Sequence, residues 1–113
     1  MSAAALEDRC NRLRQPVTEL VATSLGAAYR PQDLPTLRTA IAAVREILAE
    51  DPSELPEGAL RAWLPTGLRN LDRMDEALDA GDAAKSYAIL TDKTDGFFQL
   101  TIGCAGFVGW ATA

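Results

Sequence analysis

Apolar or small side chains in this chain return at steps of three and four, and that spacing constrains the fold more than any other feature. A first run holds Leu6, Cys10, Leu13, Val17, Leu20 and Ser24, and a second Leu34, Leu37, Ile41, Val44 and Leu48. A third holds Leu60, Leu64, Leu68, Leu71, Met74 and Leu78, and a fourth Tyr87, Leu90, Thr94, Phe97, Thr101, Cys104, Val108 and Ala111. Steps averaging near 3.5 put each set on one side of an α-helix. The period-2 alternation and tight-turn chemistry of a sheet are missing. Residues 97 to 110 are rich enough in aromatic, β-branched and glycine residues to read weakly as a strand, but the continuous seam through them favours helix.

Punctuation residues set the expected boundaries. Ser2 can cap the first helix, Pro16 removes one of its backbone bonds and should bend it near residues 12 to 16, and Gly26 offers an end before Tyr29-Arg30-Pro31. Asp33 is a suitable cap for the second helix, with Pro35 tolerated in its first turn, and Pro52 stops it. Residues 52 to 58 read as a loop leading into a short helical turn. Pro65 and Gly67 predict a kink or break near Trp63-Leu64-Pro65, and Gly81 ends the third helix. Asp82 caps a fourth helix that the seam carries close to the C-terminus. Short connections make successive helices antiparallel neighbours, so the expectation is a single all-α domain over residues 1 to 113, an antiparallel up-down-up-down four-helix bundle.

Composition narrows function mainly by exclusion. The 113 residues include no histidine, which removes the usual general base, zinc ligand and haem ligand together, and with them Ser-His-Asp and Cys-His catalysis. Net charge is −5, the wrong sign for neutralising phosphates, so nucleic acid is not an expected partner. Residues 52 to 82 carry seven acidic against three basic side chains, which predicts a locally negative face. Within it Asp72, Asp75, Glu76 and Asp79 share one helix face at metal-compatible spacing. A solvated face paired with Arg69 and Arg73 is the stronger reading, and neither metal nor cofactor is expected.

The first residues lack the basic and apolar regions of a secretory signal, which points to the cytoplasm. There Cys10 and Cys104 should be thiols by default. In an antiparallel bundle, however, both stand about eight residues from the same end, roughly 10–14 Å along their helices, and so lie at one level. A disulfide between them would close nearly the whole chain and could act as a redox latch.

The last eighteen residues, from Gly96 onward, carry no charge. Glycine costs about 1 kcal/mol in a helix relative to alanine, so Gly103, Gly106 and Gly109, recurring every three residues, need compensation from a close neighbour. The segment could be a helix packed centrally in the bundle, a self-association face presenting Phe98, Phe107 and Trp110, or a membrane contact, the weakest of the three because its length and polar residues are borderline for a span. With no motif from which to build an active site, the leading expectation is a non-enzymatic interaction module. It would form a homodimer, or bind another protein, through Phe98, Gly103, Gly106, Phe107, Gly109 and Trp110, with Trp63 alongside. One alternative is a carrier of an apolar small molecule in the bundle core, touched by Tyr87, Thr94, Thr101 and Cys104. Another is a thiol switch using Cys10 and Cys104.

Overall fold

The computed structural model describes residues 3 to 107 and residue 110, and among these every regular element is helical. Helix α1 (Ala3–Tyr29) is followed by a 3₁₀ turn (Pro31–Asp33) and α2 (Leu34–Leu48). A second 3₁₀ turn (Pro52–Glu54) leads to α3 (Ala59–Asp79), then α4 (Ala83–Leu90) and a short α5 (Gln99–Gly103). Helix α1 packs on α2 and α4, and α3 packs on α2, α4 and α5. At 1.5 Å per residue the 27 residues of α1 account for the 41 Å long dimension of the molecule.

The seams of the first three runs supply most of the core, joined by Leu90, Phe97 and Cys104 of the fourth. Leu13, Leu20, Leu37, Ile41, Val44, Leu48, Leu71 and Met74 are essentially inaccessible. Cross-pairing fixes the direction of two helix pairs. Arg12 near the start of α1 donates to Glu50 just past the end of α2, at 2.6 and 2.7 Å, while Arg30 after α1 pairs with Asp33 before α2. Arg38 reaches Asp75 and Asp79, and Arg45 reaches Asp72 and Asp75, so α2 and α3 are also antiparallel. The acidic face of α3 is therefore neutralised in large part from α2, rather than by Arg69 and Arg73 on its own helix.

Several boundaries differ from expectation. Helix α1 runs through Gly26 and ends only before Pro31. Gly26 instead makes room for a neighbour, since a Cβ there would lie 2.5 Å from Asp33 Oδ2. That carboxylate is engaged by Arg30 and does not cap α2. Helix α3 continues unbroken through Pro65. Pro65 falls in the second turn, where the lost hydrogen bond and ring clash are borne by a helix whose buried face is otherwise complete. Ser2, the expected first cap, lies outside the described residues.

The largest correction concerns the fourth helix, which does not continue along its seam. It has an N-cap as expected, with the Asp82 carboxylate accepting from the Lys85 amide at 2.9 Å, but it stops at Leu90. Asp92 Oδ1 accepts from the Thr94 and Asp95 amides at 2.8 and 2.9 Å, and the Phe97 amide returns to the Leu90 carbonyl at 2.9 Å. These bonds give the backbone an alternative to the helical ladder, as Asp side chains do in turns. The weak strand reading of residues 97 to 110 also fails: its described part is helical turn and bend.

Candidate functional site

The turn over residues 91 to 96 positions everything around it. Two buried donors on α3, Trp63 Nε1 and Asn70 Nδ2, both donate to the Asp95 carbonyl oxygen, at 2.9 and 2.8 Å. The Trp63 ring meets Phe97 edge-on, with centroids 4.9 Å apart and planes at 85°, a favoured aromatic geometry. Gly67 leaves space for that indole, because a Cβ there would fall 2.6 Å from its ring atoms. At 7% exposure, Trp63 is a core anchor of the turn rather than part of a contact surface.

Beyond the turn, Leu100 and Cys104 enter the core and the chain is tied down three times. Cys104 is disulfide-bonded to Cys10 on α1 with Cα atoms 5.7 Å apart. Trp110 Nε1 donates to the Cys10 carbonyl oxygen at 3.0 Å. Gly103 lies against the start of α3, where an added Cβ would sit 3.0 Å from Leu60 Cβ. The close approach expected of Gly103 is thus made within the chain, whereas a Cβ at Gly106 would meet nothing within 4 Å. Gly106 sits in an exposed turn with φ of 93°, a left-handed conformation that disfavours any side chain. Phe107 and Trp110 are half-buried against the chain's own core. Gly109 lies outside the described residues.

Between α1 and this segment runs an open apolar groove of about 590 Å³. Val17 and Val21 of α1 form one wall and Leu90 of α4 contributes to the lining. The opposite side is made by Phe97, Phe98, Thr101 and Trp110, with Thr91 and Lys93 contributed by the turn. Phe98 is 62% exposed and Val21 43%. Both threonine hydroxyls already donate to backbone carbonyls, Thr91 to Tyr87 and Thr101 to Phe98. Among the described residues, Lys93 is the only charged one of the lining.

Of the residues expected to hold a core ligand, only Thr101 lines this groove. Thr94 is exposed on the turn, Tyr87 is half-buried on α4, and the Cys104 sulfur is spent on the disulfide, so the four do not form one site. Of the expected interface set, Phe98 and Trp110 line the groove. Sequence reasoning missed the α1 wall. Its signal was legible: residues 20 to 29 contain no charge, although Val21, Leu25 and Tyr29 on that stretch are exposed.

Elsewhere, several charges are paired across elements. Arg9 is fully buried, donates to the Asp51 carbonyl at 3.1 Å and lies 3.5 Å from Glu50, tying α1 to the loop after α2. The hydrogen bond from Arg12 holds the Glu50 carboxyl below its ordinary range, and backbone amides do the same for Asp92. No cluster of residues able to hold a metal occurs among the described residues, and no described helix is long and apolar enough to cross a membrane. No family model, curated protein or solved structure matches the chain.

Proposed function

We propose that this chain is a non-catalytic binding module built as an antiparallel helical bundle, and that its site is the apolar groove between α1 and residues 90 to 110. The observation that carries this reading is the groove itself. Its volume falls within the range of small-molecule sites, about 300–1,000 Å³, and apolar walls with few polar groups are what such sites present. The disulfide, the Trp110 indole and the turn anchored by Trp63 and Asn70 hold the groove's far wall in place without a ligand. A preformed wall lowers the ordering cost of binding. Titration with decan-1-ol below its solubility limit should give saturable heat with the wild-type chain and a loss of about tenfold in affinity for Phe98→Asp, because a charge at the groove wall must be desolvated. No saturable binding by wild type would end this reading.

Self-association is a second reading, favoured by a separate feature. Val21, Leu25 and Tyr29 make an exposed apolar stripe at steps of four on α1, and Phe98 and Ile102 repeat that step on the segment opposite. A homodimer would cover this surface. Light-scattering mass over a concentration series tests it, and a strict monomer would overturn it. The bonded cysteine pair suits an oxidising compartment. If the chain works in the cytoplasm, the same pair is the thiol switch.

A further inference from the structure

We propose that the groove takes a single-chain anionic amphiphile, its acidic head held at Lys93 and its alkyl tail lying along the apolar floor toward Trp110; this rests on the groove being a binding site. The turn over residues 91 to 96 carries three charged side chains in four positions, Asp92, Lys93 and Asp95, and it sorts them by sign. Lys93 lines the apolar groove, whereas Asp92 and Asp95 line a separate depression beside Arg73 and Lys85.

This sorting is built into the backbone. The Asp92 carboxylate is held by the Thr94 and Asp95 amides, and the Asp95 carbonyl by two buried side chains, so the backbone around Lys93 is fixed. Gly96 lets the turn close, since a Cβ there would lie 2.6 Å from the Leu90 carbonyl oxygen and closer still to that of Asp92. Among the described residues, no carboxylate lines the groove to satisfy the Lys93 ammonium. An anionic head group there would complement the cation while the tail covers the apolar wall. The groove's two hydroxyls already donate to the backbone and leave Lys93 as the group that orients a ligand. With a net charge of −5, the molecule as a whole repels anions, so any preference for an anionic ligand must be local.

The test compares decanoate with decan-1-ol, both below their aggregation limits, by calorimetry on wild type, Lys93→Gln and Lys93→Glu. Lys93 is exposed, and an unchanged circular-dichroism melt verifies that each variant folds. For a rim ion pair the expected loss of decanoate affinity in Lys93→Gln is roughly two- to fivefold, with a larger loss in Lys93→Glu and no change for the alcohol. Binding of both ligands with no change in decanoate affinity in either variant would overturn the head-group assignment and leave the groove reading intact. Binding of neither ligand to wild type would overturn both.

Discussion

At the scale of single residues, carboxylates do much of the organising. Glu50 meets Arg12 at 2.6 Å and Arg9 at 3.5 Å, Asp51 caps the 3₁₀ turn through the Ser53 amide, and Asp92 closes the turn at the groove. Hydrogen bonds hold all three below their ordinary values: from Arg12 for Glu50, from Ser53 for Asp51, and from the Asp95 and Thr94 amides for Asp92. A carboxyl lowered in the folded state binds protons more readily when unfolded. Its contribution is therefore complete above the unfolded range, about pH 4, and is lost as pH falls through the lowered folded values. Thermal midpoints should hold steady from pH 7 to 5 and fall steeply below about pH 4, with a shallower fall in Glu50→Gln. A midpoint that rises on acidification would contradict the assignment. The pairing of Glu50 with Arg12 and Arg9 is not visible in the linear sequence, because the α1–α2 packing brings these residues together, whereas the bonds of Asp51 and Asp92 are local.

At the scale of elements, the break after Leu90 decides the site. The heptad seam runs through Thr94 without interruption, and apolar spacing alone therefore predicts one long helix. What the spacing does not weigh is local competition. Asp92 can bond two amides ahead of it, Gly96 can approach two carbonyls, and the buried donors Trp63 and Asn70 reward a chain that presents the Asp95 carbonyl to them. Gly96→Ala should cost about 1–3 kcal/mol, as overpacking against fixed backbone does, and should reduce decan-1-ol binding along with stability in a denaturant titration. A stability unchanged within error would mean that the turn relaxes freely. By contrast α2 was legible at both ends, and α1 and α3 in their buried stripes though not in their limits, since α1 runs past Gly26 and α3 through Pro65.

At the scale of the molecule, the Cys10–Cys104 bond links the first helix to the residue just after α5, across 94 residues. In the chain-entropy account a loop of that length stabilises by about 4–5 kcal/mol. Reductant, or Cys10→Ser with Cys104→Ser, should lower the thermal midpoint by well over 10 °C if that figure holds for a domain of this size. It should also free the wall of the groove, so that ligand affinity falls with it. A midpoint insensitive to reductant would show that packing of Leu100, Phe97 and Trp110 holds the segment without the bond. Reduction thus separates a groove that depends on the disulfide from one that does not.

The sequence by itself determined the helical class, the limits of α2 and the stop and cap between α3 and α4, because periodicity, Pro, Gly and Asp act over a few residues. Counting along antiparallel helices also set the two cysteines at one level, but the long fourth helix that count assumed does not form, and Cys104 meets Cys10 from just after α5. Only the tertiary structure decided that the fourth helix ends at Leu90, that Trp63 is buried and Phe98 exposed, and that Gly103 faces Leu60 within the chain. Those outcomes depend on contacts such as Asn70 and Trp63 with Asp95, 25 and 32 positions apart, which act together with the local bonds of Asp92. The groove belongs to this second kind: its walls come from α1 and from residues 90 to 110, and packing alone sets these distant stretches side by side.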